Sequence, residues 1–525
     1  MNKSITNLTY PIKLFIIIYI VGFSHSVLLP FIMEMTVITL ILRYRSSLSI
    51  KIISLFFFAI EGVQLSSIFN TGFYIQTLTI TNIGEVSSVG NSVIASTILI
   101  TLLYFSLSFK SSQNPLKGLS LVYLLFSSAI TAFLCKNTPM YNFSNSIYEA
   151  YEQYNNSVSE INPNNAKYFK KESISSEKDS LPQSLHSKNQ NIVVIFTEGL
   201  SSVVMSDKMT PNLIKLSRQS FNFLNYYNHT AATFRGIRGQ LTSGYQFLGG
   251  FNPEHVGVGE VSANTVKERF NGKLISIPNI LATHNYTSYF IAPNSRQANL
   301  SQMISTLGFD EVYGKEDFKD TTNIELTDKQ TYELLWEKIN EPHDKPFFIG
   351  VYTVGTHIGL DSPDEKFGDD NNEYNNKFYN LDHQFGIFFE KFKKSEIADN
   401  TLLVFTADHA AFPTPKFKQT FNSESDVFVD KIPLMIYKKN APTVNFNVDG
   451  KNSLALAPTL LDILGVKNGG NYFLGCSLFD NNCSSIFENT TAIGSFIVNT
   501  QHAKMTIGEK TEIKEKINRY YTISG

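Results

Sequence analysis

Two short apolar runs, far apart in the chain, each end in residues that can bind a metal ion. The first covers residues 191–197 and is followed by Glu198. The second covers residues 401–407 and is followed by Asp408 and His409. Such runs are typical of buried strands in a parallel sheet, and open α/β sheets bind ligands at the carboxyl ends of their strands. Because carboxylates and imidazoles bind divalent transition metals, Glu198, Asp408 and His409 are predicted to form one metal site.

The segment 230–239, between these two runs in sequence, supplies hydroxyls beside two arginines. Thr233 is the predicted nucleophile for phosphorus, with its oxygen as a fourth metal ligand, because it precedes a helix start that would stabilise a developing anion. Arg235 and Arg238 are predicted to clamp phosphate oxygens. Thr230 is a competing nucleophile, and a further alternative is that both threonines only cap the helix.

His357 follows the predicted strand at 346–352, so it also lies at a strand end. It is predicted to contact a phosphoryl group or to protonate a leaving alkoxide, and a purely structural histidine is the alternative. Glu198 has an alternative as well, as a carboxylate at a helix N-terminus. His383, beside Asp382 in a helical pattern, is assigned a structural or supporting role.

From residue 191 onward, strand and helix patterns alternate, which predicts an α/β domain over residues 191–525 with a mostly parallel central sheet. The tail beyond residue 486 contains short β-prone runs and is predicted to form a small antiparallel appendage. The predicted strands cover residues 192–197, 286–291, 346–352, 401–406 and 432–437. The predicted helices cover residues 211–219, 297–307, 329–340, 376–393 and 455–464.

The first 136 residues are instead predicted to form a transmembrane domain, because few charges interrupt their apolar stretches. Glycine, serine and proline near the middle of the first stretch favour two spans there rather than one long helix, which gives about five spans. The stretches cover residues 11–44, 52–75, 91–109 and 118–135. Residues 137–190 are predicted to be a connector, in which Ser144–Tyr154 forms an amphipathic helix on the membrane surface.

Basic residues predict how these spans are oriented, because lysine and arginine concentrate in cytoplasmic loops. Arg43, Arg45 and Lys51 mark one such loop, whereas residues 76–90 contain no lysine or arginine. The chain is therefore predicted to be a multi-pass protein of the cytoplasmic (inner) membrane, with its C-terminal domain on the periplasmic or extracellular side. Two carboxylates, Glu34 and Glu61, lie inside the apolar stretches. They are either functional groups or residues that face the membrane interface or the interior of the helix bundle.

The net charge and the cysteines indicate which partners and which bonds to expect. The formal net charge of −2 gives no field that would attract nucleic acid, so no nucleic-acid partner is predicted. Cys476 and Cys483 bracket a short polar loop, a spacing that suits a local disulfide in an oxidising compartment.

These residues resemble the sulfatase-fold membrane transferases of the alkaline-phosphatase-like superfamily, which include lipoteichoic acid synthases, phosphoglycerol transferases and phosphoethanolamine transferases. The resemblance rests on Glu198, on Thr233 in its Gly/Arg-rich segment, on Thr356-His357 and on Asp408-His409, and the stretches 275–281 and 307–310 support it. It implies that Thr233 takes the phospho-group covalently while Glu198, Asp408 and His409 hold one Zn²⁺ or Mn²⁺ ion. His357 would bind the phosphoryl oxygens.

The resemblance also implies a substrate class: a membrane phospholipid donor and a glycan, lipid-linked glycan or polymer acceptor in the envelope. The sulfatase signature Cys-x-Pro-Ser-Arg is missing, and Asp408-His409 is followed by Ala410-Ala411-Phe412-Pro413, which is nearer to the phosphoglycerol branch. Transfer of phosphoglycerol is therefore the favoured prediction. The alternatives are transfer of phosphoethanolamine to lipid A or another glycan, a sulfatase- or phosphatase-type hydrolase, and a membrane sensor or scaffold without activity.

Overall fold

A computed structural model of the chain divides into two compact units. Unit 1 comprises Met1–Tyr154 with Pro413–Lys416, and unit 2 comprises Asn155–Phe412 with Phe417–Gly525. The structure describes residues 2–22, 25–44, 47–81, 91–110, 120–134, 137–157, 163–175, 180–246, 274–319, 323–368, 371–425, 427–493, 496–507 and 511–524.

Unit 1 is built from helices. They are α1 (Asn2–Val21), α2 (His25–Tyr44), α3 (Leu48–Thr71), α4 (Thr77–Thr81), α5 (Asn91–Lys110), α6 (Ser120–Phe133) and α7 (Pro139–Ser157), whose last residues belong to unit 2. The prediction that the first apolar stretch forms two helices is confirmed by α1 and α2. Helix α7 includes the predicted helix Ser144–Tyr154 and extends beyond it at both ends, while its place on a membrane surface stays a prediction.

One helix among the described residues, α3, is long and apolar enough to cross a membrane, with a mean hydropathy of 1.8. The apolar parts of three other helices are shorter and cover Thr9–Val21, Val27–Ile41 and Val93–Leu107. By this criterion the five spans stay a prediction. Arg45 and most of the loop 76–90, which set the predicted orientation, lie outside the described residues.

Unit 2 is organised around an eight-stranded sheet with the order β5-β4-β6-β2-β7-β8-β3-β9. Its strands are β2 (Asn191–Thr197), β3 (Phe221–Leu224), β4 (Thr287–Ile291), β5 (Glu311–Tyr313), β6 (Phe347–Thr353), β7 (Thr401–Ala407), β8 (Leu434–Tyr437) and β9 (Val444–Asn447). All pairs are parallel except β7 with β8 and β8 with β3. The predicted mostly parallel sheet is therefore confirmed.

Unit 2 also contains helices, most of which alternate with the strands as the sequence pattern predicts. They are α8 (Pro163–Phe169), α9 (Pro211–Ser217), α10 (Thr233–Thr242), α11 (Ile277–Ala282), α12 (Asn299–Ser305), α13 (Asp328–Asn340), α14 (Glu373–Lys393), α15 (Pro415–Phe421, which begins in the segment assigned to unit 1), α16 (Leu456–Ile463) and α17 (Thr511–Ser524). Each of the five predicted helices of this region is present, with ends shifted by a few residues. The short strands β3, β5 and β9 were not predicted, because three or four residues carry little periodic signal.

Two small sheets complete unit 2. Strand β1 (Lys171–Ser173) pairs with β10 (Asn468–Asn471). The tail forms β11 (Thr490–Ile493), β12 (Phe496–Asn499) and β13 (Thr506–Ile507), which pair antiparallel and confirm the predicted appendage. Cys476 and Cys483 form a disulfide whose Cα atoms are 6.2 Å apart.

The register of the three central strands places their carboxyl ends at one level. Thr197 of β2 pairs with Thr353 of β6 on one side and with Ala407 of β7 on the other. Every residue of β2, β6 and β7 is buried, as expected for strands covered on both faces. The ladder continues one residue further, because Glu198 N donates to Thr353 O at 3.0 Å and Asp408 N donates to Thr197 O at 3.0 Å. Residues directly after these strands are thereby brought side by side.

Candidate active site

The ends of β2 and β7 bring three ligand-type side chains together. One ligand atom from each of Glu198, Asp408 and His409 lies within 4.8 Å of the others, and all three residues are buried. His409 Nε2 is 3.4 Å from Glu198 Oε1 and 3.4 Å from Asp408 Oδ2. Residues separated by about two hundred positions in sequence therefore share one buried cluster.

Local hydrogen bonds orient the side chains of Asp408 and His409 within this cluster. Asp408 Oδ1 accepts from Gly199 N at 2.9 Å and from His409 N at 2.7 Å. His409 Nδ1 pairs with Ala410 O at 2.8 Å, and because a carbonyl only accepts, Nδ1 carries the proton. In the neutral ring the lone pair is then on Nε2, which faces the two carboxylates. This is the tautomer that a metal ligand needs.

The cluster fits a divalent metal ion. Tetrahedral bonds of about 2.0–2.2 Å to nitrogen and oxygen place neighbouring ligand atoms about 3.3–3.6 Å apart, which matches the separations from His409 Nε2. Asp408 Oδ2 is buried and accepts no hydrogen bond within the part of the chain that the structure describes. A buried carboxylate oxygen without a donor is costly, and a cation there would satisfy it.

Thr233 is the hydroxyl that the structure brings to this cluster. Its Oγ1 donates to Glu198 Oε2 at 3.0 Å. It is the first residue of α10, and Ala232 before it has φ +72°, a conformation that costs a non-glycine residue about 1–3 kcal/mol. Thr230 is turned away, since its Oγ1 donates to Ala492 O at 2.9 Å in the tail sheet. Of the two threonines, Thr233 is therefore the one whose hydroxyl donates to a residue of the cluster.

Helix α10 approaches the end of β7 closely. A Cβ atom on Gly236 would lie 2.1 Å from Asp408 O, so no larger residue fits without moving the backbone. Gln240 Nε2, one helical turn further, donates to Ala407 O at 2.9 Å and to Asp408 O at 3.2 Å. These contacts fix the helix that carries Thr233 against the strand that carries Asp408.

The two carboxylates have opposite pKa shifts. Burial would raise the pKa of Glu198, but His409 and His357, with hydrogen bonds from Tyr352 and Thr233, lower it. Burial and the nearby negative charge of Glu198 raise the pKa of Asp408 well above its ordinary value. Without a cation, the site therefore favours one negative charge over two, which is the electrostatic behaviour of a cation site.

Tyr352 is a site residue that the sequence analysis missed. It is 2% exposed, and its hydroxyl donates to Glu198 Oε2, the oxygen that also accepts from Thr233. Burial, together with the charges of Glu198 and Asp408, raises the pKa of Tyr352 well above its ordinary value, so it stays a donor. Thr356 was named in the sequence analysis only as part of the Thr356-His357 pair, without a role, and its hydroxyl donates to Glu198 O. Nothing local in sequence indicates the role of either residue, because both roles depend on the pairing of β6 with β2.

His357 lies on the same side of the sheet end and is partly exposed. Its Nδ1 pairs with Ile358 O at 3.1 Å, and its backbone oxygen accepts from Lys377 Nζ at 3.2 Å. It is close enough to Glu198 to lower the pKa of that carboxyl. Its Nδ1 is thus occupied, and Nε2 is the nitrogen left for a substrate.

The two arginines of α10 are deeply buried, with Arg235 4% and Arg238 1% exposed. Both lie near tyrosines of the C-terminal helix α17, Arg235 near Tyr521 and Arg238 near Tyr520. Burial lowers the pKa of Arg238 to about 10, and Tyr520 partly offsets that shift. The predicted phosphate clamp by these arginines stays a prediction.

Comparison with known proteins places this site in a family. Residues 190–466 match the Sulfatase family model. Lipoteichoic acid synthase 2 of Bacillus subtilis is 24% identical over 71% of this chain and 59% of its own length. Phosphoglycerol transferase I of Escherichia fergusonii is 25% identical over 57% of this chain and 40% of its own length. The chain thus spans about half the length of these curated relatives.

A solved structure shows the same fold. The lipoteichoic acid synthase LtaP of Listeria monocytogenes superposes with a TM-score of 0.52 and 18% identity, over 66% of this chain and 94% of that one. The match to the family model covers more than half of the sequence. The resemblance drawn from Glu198, Thr233, His357 and Asp408-His409 is thereby confirmed at the level of family and fold.

Proposed function

This chain belongs to the Sulfatase family, and from the geometry of its site we propose that it is a metal-dependent phosphotransferase of a membrane. It moves a phospholipid head group, phosphoglycerol in the favoured case, to an envelope glycan or polymer through a covalent phospho-threonine. The observation that carries the proposal is the hydrogen bond of 3.0 Å from Thr233 Oγ1 to Glu198 Oε2, beside Asp408 and His409. The names of the two sequence relatives support the choice of phosphoglycerol.

In the first half-reaction, Thr233 Oγ attacks the phosphorus of the lipid head group. The new bond joins Oγ to phosphorus, and the bond from phosphorus to the diacylglycerol oxygen breaks. The Thr233 proton passes to Glu198 Oε2, which already accepts it as a hydrogen bond. His357 binds the phosphoryl oxygens or protonates the departing diacylglycerol oxygen. Helix α10 adds the partial positive charge of its N-terminus at the attacking oxygen.

In the second half-reaction, a hydroxyl of the acceptor attacks the same phosphorus, and the bond from phosphorus to Thr233 Oγ breaks. The acceptor hydroxyl gives its proton to His357, and Thr233 Oγ takes back the proton held by Glu198. Glu198, Asp408, His409 and Thr233 would hold one divalent ion, Zn²⁺ or Mn²⁺. That ion would supply positive charge that lowers the pKa of the Thr233 hydroxyl and offsets the charge of the phosphoryl oxygens. Arg235 and Arg238 stay candidates for stabilising the phosphate.

We assign residues 1–136 to a transmembrane domain of about five spans, residues 137–190 to a connector and residues 191–525 to the catalytic domain outside the cytoplasm. Several large apolar side chains of α3 and α5 point outward, among them Phe56 at 58% exposed and Leu99 at 67%. A helix face of this kind suits contact with lipid tails. Tethering the catalytic domain to the membrane raises the local concentration of a lipid donor.

The test is the intact mass of the full chain in detergent after incubation with phosphatidylglycerol or phosphatidylethanolamine and Mn²⁺ or Zn²⁺. We expect a gain of one phosphoglycerol, which Thr233→Ala abolishes because it removes the attacking oxygen. Thr230→Val is the matched control and keeps the adduct, since the Thr230 hydroxyl is bound to Ala492 O. A gain of one phosphoethanolamine would instead identify the other donor.

Three outcomes would contradict the mechanism. An adduct retained in Thr233→Ala and lost in Thr230→Val would move the nucleophile to Thr230. Turnover of the lipid without any adduct and without an added glycan would show a hydrolase that uses water as the acceptor. Metal-loaded protein without adduct or turnover on either lipid would leave a sensor or scaffold role.

A further inference from the structure

Tyr352 is the starting point, because it shares one carboxylate oxygen with the proposed nucleophile. Tyr352 pairs with Phe196 in the register of β6 and β2, and Glu198 is two residues beyond Phe196. Since side chains alternate between the faces of a sheet, Glu198 and Tyr352 lie on the same face. The phenol therefore reaches Glu198 from the neighbouring strand without any distortion of the backbone.

The two oxygens of Glu198 have different partners. Oε2 accepts from Tyr352 Oη and from Thr233 Oγ1, whereas Oε1 lies 3.4 Å from His409 Nε2. A carboxylate oxygen has about two lone-pair directions, so two donors occupy Oε2 fully. Oε1 remains for the cluster with Asp408 and His409. The end torsion of a glutamate side chain is otherwise broad, so something must hold this division.

We propose that Tyr352 is a positioning residue that fixes the rotation of the Glu198 carboxylate. Its hydroxyl holds Oε2 toward Thr233 and so keeps Oε1 directed at the metal site. This inference rests on the proposed metal-dependent function and adds a residue to it. Without the phenol hydroxyl, the carboxylate turns, and both the metal ion and the Thr233 hydroxyl lose a fixed partner.

The test compares Tyr352→Phe with Tyr226→Phe in the full chain in detergent. Each change removes one buried phenol hydroxyl and keeps the ring, and the Tyr226 hydroxyl makes no hydrogen bond in the described part of the chain. The readouts are Zn²⁺ and Mn²⁺ affinity against a competing chelator, the visible spectrum of the Co²⁺-loaded protein, and the melting temperature without metal. Loss of an outer partner of a metal ligand weakens binding about 10–100-fold.

We expect Tyr352→Phe to weaken metal binding within that range and to shift the Co²⁺ absorption bands. Its melting temperature without metal should equal that of Tyr226→Phe. Tyr226→Phe should keep wild-type affinity and spectrum. An unchanged affinity and spectrum in Tyr352→Phe would overturn the inference and leave the proposed function standing. A lower metal-free melting temperature with an unchanged spectrum would assign the hydroxyl to the fold. If the wild-type chain binds none of the three ions, the proposed function and this inference fail together.

Discussion

Unit 2 contains two Asp-His pairs, Asp382-His383 and Asp408-His409, whose side chains make different contacts. In α14, Asp382 Oδ1 accepts from Leu213 N at 2.8 Å, and Oδ2 accepts from Asn212 N at 3.1 Å. Both of its oxygens are occupied by the start of α9. His383 points elsewhere, with its Nε2 3.9 Å from Glu365 Oε1.

At the end of β7, the side chains of Asp408 and His409 instead lie close to each other. Asp408 Oδ1 accepts from backbone donors, whereas Oδ2 accepts no hydrogen bond from the residues that the structure describes, and His409 Nε2 is 3.4 Å from Oδ2. Adjacent residues of a helix do not face each other, whereas a turn after a strand can bring them together. A candidate metal site is therefore recognised by the lone pairs that the fold leaves unused, not by the dipeptide.

The largest effect should come from Asp408→Asn, compared with Asp382→Asn. We expect Asp408→Asn to lose bound metal and at least about 100-fold in transfer rate, the scale for loss of one preorganised electrostatic group. Asp382→Asn should keep both, because its oxygens serve only the fold. Metal content per chain and transfer of a labelled lipid head group measure this. Equal losses of metal and of transfer rate in the two variants would contradict the assignment of Asp408, rather than Asp382, to the metal cluster.

Asp328 also has an unused carboxylate oxygen, but no histidine lies beside it in sequence. Its Oδ1 accepts from Gly355 N at 2.9 Å, and Oδ2 is buried without a hydrogen bond among the described residues. Burial raises the pKa of Asp328 to about 6, although the Gly355 hydrogen bond lowers it. A raised folded pKa gives stability that is present below about pH 4 and is lost as the pH rises through about 6.

We therefore expect the wild-type chain to lose about 3 kcal/mol of stability between pH 4 and pH 7 that Asp328→Asn does not lose. The measurement is unfolding of unit 2 followed by the fluorescence of Trp336, the single tryptophan of the chain. Parallel stability curves for the wild-type chain and Asp328→Asn would show that the unused oxygen has no cost.

The smallest effect should come from Asp382→Ala, which removes the side chain that accepts the first backbone donors of α9. Loss of such a helix cap costs about 0.5–2 kcal/mol. Metal content and transfer rate should stay unchanged, and Trp336 fluorescence during unfolding measures the stability. Lower metal content in this variant would mean that the helical Asp-His pair also supports the site.

Much of unit 2 could be predicted from the sequence, because its strong signals are local. The runs 192–197 and 401–407 are mostly apolar, which predicted buried strands, and the carboxylate directly after each run was predicted to lie at a strand end. Thr233 was predicted to be the nucleophile from its place at a helix start, and the structure places its hydroxyl at the cluster. The short strands and the roles of Tyr352 and Thr356 were not predicted, because neighbouring residues do not encode which strands pair.

The sequence by itself determined which residue types stand at the ends of the strands and helices, since hydrophobic period and helix-start signals are read over a few neighbours. The tertiary structure decided which of these residues meet. The pairing of β2 with β6 and β7 brings Glu198 beside Asp408 and within hydrogen-bonding reach of the Tyr352 hydroxyl. The close approach of α10 at Gly236 to the end of β7 brings Thr233 to Glu198. Strand order and register follow from packing between segments far apart in the chain, and so the division of the Glu198 oxygens exists only in the folded molecule.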